Sequence, residues 1–337
     1  MFNKSVFGVD LGTSAVKIYS QRSKRTIVEK DMIAIRNRTQ VIAVGNEAFE
    51  IYEKNPPNII VDRPVINGNI ADVAEVDMML RVLLARCEKH MTRFPVLYCS
   101  APVNMSEIER RSYYALSHVR ALGNPHVYLV DRPICDALAL GIPVTRTRGT
   151  MIVNMGAKNT VLSVIAGEQV IISSRIPIGG QDLNDAICNE IRKRNNLLIG
   201  KRTARRLKAV LASFDPSGNE ARKVHGLNTL SGLPRECVVS AALVSEAVER
   251  KFSEVASAMK TFLERVPPQL GKYIIDEGIY VTGGTSRIQG IDQYLSQVIG
   301  CRINLSPYYE QNTIQGLQEL INHSEYQKFA YAIRKNK

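Results

Sequence analysis

The sequence predicts an α/β protein made of two similar halves, and three observations carry that prediction. Short β-branched runs alternate with helical stretches along the whole chain. The 337 residues suffice for about two domains at ~150 residues each. A strand, a carboxylate or amide, a glycine turn and a second strand occur together twice. The first copy runs Val6-Phe7-Gly8-Val9-Asp10-Leu11-Gly12-Thr13 into Ala15-Val16-Lys17-Ile18-Tyr19. The second, 144 residues on, runs Met151-Ile152-Val153-Asn154-Met155-Gly156-Ala157-Lys158 into Thr160-Val161-Leu162-Ser163-Val164.

Strands are expected over Val6–Val9, Ala15–Tyr19, Thr26–Lys30, Val41–Val44, Val96–Cys99, Val127–Val130, Met151–Asn154, Thr160–Ile165, Val170–Ile176, Tyr273–Val281 and Arg302–Leu305. Each is apolar, often β-branched, and bounded by Gly, Pro or Asn. Apolar residues at 3.6-residue spacing predict helices over Glu75–Cys87, Ser106–Leu122, Gln181–Arg194, Thr203–Ala212 and Ser245–Arg265. Ser106 followed by Glu109 reads as a helix cap, and Pro267-Pro268 stops the last helix. Residues 213–236, rich in Ser, Gly, Asn and Pro, are expected to loop out.

Composition excludes several classes. No apolar stretch approaches the ~18 residues of a membrane-spanning helix, and Ser5–Val9 is too short for a signal peptide, which predicts no export by that route. Six cysteines lie far apart without a Cys-x-x-Cys pair and read as reduced core thiols. Five scattered histidines make no zinc motif, and neither a Gly-x-Ser-x-Gly elbow nor a Walker loop is present. A net charge of +12 keeps nucleotides, anionic membranes and nucleic acid in play as partners.

The paired glycine hairpins suit a polyphosphate, because glycine permits positive φ and close approach of a ligand to the backbone. A third glycine element, Ile279-Tyr280-Val281-Thr282-Gly283-Gly284-Thr285-Ser286, would let a nucleoside or α-phosphate approach backbone amides near a helix start. With these three elements in this order, the sequence resembles the actin/Hsp70/sugar-kinase ATPase superfamily, and within it the bacterial actin-like rod-shape-determining proteins of the MreB/Mbl type. The likeness is nearly end to end, through Asp10-Leu11-Gly12-Thr13, Asn196-Leu197-Leu198-Ile199-Gly200, Ser231-Gly232-Leu233-Pro234-Arg235 and Thr282-Gly283-Gly284.

The resemblance implies an actin-like ATPase fold of duplicated ribonuclease-H-like halves closing over ATP or ADP with Mg2+. The first half would be residues 1–143, completed by 306–337, with a subdomain inserted at about 31–67. The second would be 144–305, with a subdomain at about 186–237. The implied nucleotide contacts are Asp10, Gly12, Thr13, Lys17, Asn154, Gly156, Lys158, Gly179, Gly180, Lys208, Gly283, Gly284 and Thr285. Asp10 would hold the metal through water, and Asp131 would be the catalytic carboxylate that places the attacking water. The resemblance further implies homopolymer filaments at the inner face of the cytoplasmic membrane, working with membrane proteins of cell-wall elongation. Met91 and Phe94 fall on the loop through which such proteins enter the membrane.

Departures from the family pattern bear on catalysis. The second phosphate loop, usually Asp-Ile-Gly-Gly-Gly-Thr-Thr-Glu, reads Asn154-Met155-Gly156-Ala157-Lys158-Asn159-Thr160-Val161, so both acids and two of three glycines are gone. The usual Glu-Glu-Pro is Asp131-Arg132-Pro133. Weak hydrolysis and a weakened dependence on Mg2+ are therefore expected. Lys17 is either a phosphate-binding lysine, as in true actins, or a solvated strand residue. Residues 192–208 hold eight Lys/Arg and no acid. They form either a solvated face or a contact with acidic lipid, nucleic acid or a neighbouring protofilament, and the lack of interleaved aromatics disfavours nucleic acid. A plasmid-segregation-type actin-like filament and a small-molecule kinase of the same superfamily are the alternative functions.

Overall fold

The structure is a computed structural model describing residues 4–37, 39–119, 122–215 and 220–333. The chain divides into two compact units, Met1–Thr145 with Gln311–Lys337, and Arg146–Glu310. The first unit is built on a six-stranded sheet in the order Ala330–Ala332, His126–Asp131, Val96–Ala101, Val6–Leu11, Ala15–Ser20, Arg25–Lys30. The second is built on five strands in the order Ile303–Leu305, Ile279–Thr282, Thr150–Met155, Thr160–Ala166, Gln169–Ile176.

Strand directions match as well as strand order. In each unit the first strand pairs antiparallel with its hairpin partner, the partner pairs antiparallel with the next, and the other edge of the first strand opens a parallel run of three. The repeated hairpin is thus the visible part of a duplicated sheet. Both faces of its strands are buried, as they must be when helices cover both sides: Phe7, Val9, Leu11, Val16 and Ile18 line one face of the first sheet and Tyr19 the other, while Met151, Val153 and Val164 line one face of the second and Ile152 and Ile165 the other.

Local chemistry places the helices. Asp72 caps the helix Val73–Cys87 by accepting from the Glu75 N–H, and Ser106 with Glu109 closes a capping box on Glu107–Leu116. That second helix ends six residues before its expected limit. There the Ser117 hydroxyl donates to the Tyr114 carbonyl, a local alternative to the helical ladder.

Two other expectations are corrected. Tyr273–Val281 is not one strand: a helix spans Pro268–Glu277 and the strand is Ile279–Thr282. Pro268 at the first helical turn starts the helix, Leu270 and Ile274 meet the core four residues apart, and Gly278 at φ +88° ends it. Residues 213–236 are not simply a loop. Apart from 216–219, which lie outside the described residues, most of the stretch belongs to the hairpin Ala221–Asn228 and Pro234–Ser240, whose turn is set by Asn228 Oδ1 accepting from the Leu230 and Ser231 amides.

Each unit carries a small inserted sheet. In the first it comprises Gln40–Val44, Ile33–Arg36 and Ile59–Asp62; in the second it comprises Leu197–Leu198 with the 221–240 hairpin. The cysteines are all thiols, with Cys87, Cys99 and Cys135 buried and Cys188, Cys237 and Cys301 half-buried.

Candidate functional site

In the first unit, three parallel strands bring Asp10, Ser100 and Asp131 to their carboxyl ends. Open α/β sheets bind ligands at that edge. Asp10 and Lys17 are direct cross-strand partners, and Lys17 Nζ lies 2.7 Å from Asp10 Oδ2. The Ser100 hydroxyl donates to Asp10 Oδ1 at 2.7 Å, and Arg132 Nη2 stands 3.7 Å from the same oxygen. Burial by itself would raise the Asp10 carboxyl. Lys17, then Arg132, together with the hydrogen bonds from Lys17 and Ser100, overcome it and hold the carboxyl below its ordinary range. Lys17 is only 7% exposed, which overturns its reading as a solvated strand residue. Gly12 and Thr13 form the turn above this pair.

Asp131 is placed differently from Asp10. Its carboxylate accepts a 3.0 Å hydrogen bond from the Tyr331 hydroxyl on the edge strand, and burial, offset by that bond, raises its pKa. The next residue, Arg132, is the one that turns toward Asp10, with Nη2 also 3.4 Å from the Ser100 hydroxyl. Sequence reasoning missed Ser100, Arg132 and Tyr331. The signal for Arg132 was present, since it occupies the second Glu of the family's Glu-Glu-Pro.

In the second unit the candidate residues converge. The Gly180 and Gln181 amides donate to the Gly156 and Ala157 carbonyls at 3.0 and 2.7 Å, tying the first turn of the helix Gly180–Asn195 to the phosphate loop. The Thr285 hydroxyl donates to the Gly156 carbonyl from another side, and Lys208 Nζ donates to the Gly180 carbonyl. Two glycines here are required: a Cβ on Gly179 would sit 2.6 Å from the Lys158 nitrogen, and Gly283, at φ +93°, packs against the Met155 peptide. Gly284 is exposed beside it. Burial, then the neighbouring Arg205, lowers the Lys208 ammonium to about 8 despite Asp182.

The charges around this loop differ from the sequence expectation. Lys158 Nζ pairs with Asp182 Oδ1 at 2.7 Å, and Asp182 Oδ2 accepts from the Gly179 amide. Asp182 was missed because it lies 24 residues away on a helix. Asn154, the counterpart of Asp10, stands opposite Val161.

These donors do not fit a Mg2+ site. Magnesium needs oxygen ligands, usually carboxylates, arranged around it with bound water. In the first unit the one carboxylate at the carboxyl end of the central strand, Asp10, is already paired with Lys17 and has Arg132 3.7 Å away.

The expected membrane loop splits. Met91 packs against the first-unit core, whereas Phe94 is 39% exposed with the Arg93 guanidinium 5.0 Å from its ring. Among the described residues no helix is long and apolar enough to cross a membrane. The basic run is partly neutralised, with Arg194 paired to Glu190 and Glu246 and Lys201 to Asp185.

Two sheets of one topology, each with an inserted subdomain and a glycine turn at its carboxyl edge, define an actin-like ATPase fold. The family model described as MreB/Mbl protein matches residues 4–328, and the chain belongs to that family. It is 32% identical over 300 residues to the cell shape-determining protein Mbl of Bacillus subtilis, covering 88% of this chain and 89% of Mbl. MreB5 of Spiroplasma citri bound to AMPPNP superimposes with a TM-score of 0.89 at 26% identity, covering 97% of this chain and 98% of MreB5. The same protein bound to ADP gives 0.88 at 25% identity, with the same coverage. A MamK double helical filament shares the fold, with a TM-score of 0.78 at 18% identity over 95% of this chain and 99% of MamK.

Proposed function

We propose that the chain is a nucleotide-binding cytoskeletal protein that polymerises into filaments at the inner face of the cytoplasmic membrane. There it organises cell-wall synthesis with membrane proteins of elongation, and so determines cell shape. ATP hydrolysis is weakened. The observation that carries this reading is the second-unit phosphate loop, whose backbone frame is complete while its cross-strand pair is Asn154 and Val161. A loop of this kind can bind phosphate through geometry, yet it lacks the carboxylates that would position metal and water for phosphoryl transfer. The nucleotide-bound MreB5 structures and the MamK filament support the binding and assembly parts.

Assembly has a surface to use. On the second inserted sheet Leu230 and Leu233 are 81% and 65% exposed at the hairpin tip, and Leu198 stands opposite Leu227, both half exposed. Such a patch on an otherwise charged subdomain calls for a partner, and further copies of this chain supply one.

The test is electron microscopy and sedimentation with ATP, ADP or no nucleotide, paired with a phosphate-release assay. Straight paired protofilaments are expected, with turnover well below that of Bacillus subtilis Mbl measured alongside. The substitutions Asn154→Asp and Lys158→Gly together should raise Mg2+-dependent release. A chain that stays monomeric at tens of micromolar overturns the filament reading. Turnover equal to that of Mbl and unchanged in the double variant overturns the weakened-hydrolysis reading.

A further inference from the structure

The first unit places two fixed cations on one carboxylate. Lys17 and Arg132 flank Asp10, so this carboxylate is held between two cations where the family resemblance implies a second acid, and Asp136 is the further acid that acts on Arg132. This cluster is built rather than incidental. Asp10 and Lys17 are nearly buried, Ser100 holds the remaining carboxylate oxygen, and Arg132 Nε has no hydrogen-bond partner among the described residues. A mostly buried guanidinium keeps its charge, and beside Lys17 it adds a second cation to attract an incoming oxyanion. Arg132 also falls where the family resemblance implies a glutamate, so the charge at that position is reversed.

An acid pair attracts a divalent cation, which then bridges to phosphate oxygens. A carboxylate already engaged by two cations attracts that cation less, and the two cations offer their charge to the phosphate directly. The geometry points to Lys17 and Arg132 taking the place of a divalent cation, so that this chain binds a nucleoside triphosphate without Mg2+. The inference rests on the nucleotide-binding reading above and adds the groups that neutralise the phosphates. Lys17 changes partner from Asp10 to a phosphate oxygen, and Arg132 remains to hold the Asp10 carboxylate and to screen its charge from the anion.

The test is calorimetric titration of the full chain with ATP, in EDTA and in millimolar Mg2+. The wild type is expected to bind with dissociation constants within about threefold of one another in the two buffers, and more weakly as salt rises in EDTA. Arg132→Gln should weaken binding in EDTA by about tenfold and regain part of it in Mg2+, whereas Arg132→Lys, which keeps the charge, should stay close to wild type. Retained binding by the lysine variant separates loss of charge from loss of fold, and a thermal melt of each variant checks the latter. A wild-type loss of about tenfold or more in EDTA overturns the inference, as does an Arg132→Gln variant that binds like wild type in EDTA. Absence of ATP binding in both buffers overturns the nucleotide-binding reading itself, an outcome distinct from binding that needs Mg2+.

Discussion

Asp10 and Asn154 occupy equivalent places in the two units, each at the end of the central strand, before a glycine turn and opposite one residue of the hairpin partner. In the first unit that partner is Lys17, and the pair is a buried 2.7 Å ion pair reinforced by Ser100 and Arg132. In the second it is Val161, and the charge has moved outward to Lys158 and Asp182, which are 34% and 18% exposed. What the duplication retains is backbone geometry, because a turn that must admit Gly283 at positive φ and Gly179 against a peptide tolerates few alternatives. Charge is less constrained. A carboxylate can become an amide of the same shape without moving a strand.

The sharpest way to break this comparison is to make the first unit resemble the second. Lys17→Val would leave Asp10 buried with Arg132 as its remaining cation at 3.7 Å. It should destabilise the protein by about 3 kcal/mol, the range for removing one partner of a buried ion pair. Lys158→Ala, which removes the more exposed pair, should cost less than about 1 kcal/mol. Urea denaturation of both variants measures the difference, and equal losses would mean that the two loops are stabilised alike.

That asymmetry also marks what the sequence could reveal. The repeated hairpin, the central strands and the capped helices were legible because their signals are local: alternation, β-branching, a Ser three residues before a Glu. The missed elements depend on tertiary context. Pro268–Glu277 contains a β-branched pair and reads as a strand until Leu270 and Ile274 find the core, and the hairpin at 221–240 hides beneath turn-forming residues. At the site, the glycines and Asp10 were readable as motifs. Ser100 and Asp182 were not, since a serine 90 residues from Asp10 and an aspartate within a helix have no local pattern. Side-chain direction was equally hidden: adjacent in sequence, Asp131 points to Tyr331 and Arg132 to Asp10.

Titration separates the units at intermediate strength. In the first, burial pushes the Asp31 carboxyl from 3.8 to about 8 despite a hydrogen bond from the Val65 amide. Its folded pKa is raised, so its contribution to stability is complete below about pH 4 and is lost as pH rises through about 8. In the second, the Lys208 ammonium is lowered from 10.5 to about 8, so the folded state holds fewer protons there and stability rises from about pH 8 toward 10.5. Asp31→Asn should remove the first slope, between about pH 4 and 8, and Lys208→Met the second, between about pH 8 and 10.5. Denaturation midpoints from pH 4 to 10.5 measure both slopes. If Asp31→Asn leaves the neutral-side slope in place, the first-unit assignment fails.

The smallest expected effect concerns the exposed apolar residues, which again differ between units. Phe94 in the first unit sits between the Arg93 guanidinium and the His126 ring, a combination suited to an anionic membrane surface, where the ring enters the interface and the guanidinium meets headgroups. Leu230 and Leu233 in the second share a hairpin with further exposed apolar residues, a form suited to another protein surface. Phe94→Ser should therefore reduce pelleting with anionic vesicles while leaving assembly in solution intact. The loss is about 1 kcal/mol per chain, because the ring is already partly buried, and it becomes visible when a filament multiplies it over many copies. Leu230→Ser with Leu233→Ser should do the reverse, abolishing sedimentable polymer and lowering vesicle binding only through the lost multivalency. Pelleting with and without vesicles at one protein concentration distinguishes the two. If Phe94→Ser changes solution assembly as much as vesicle binding, the first-unit loop is an assembly contact and its assignment to the membrane is wrong.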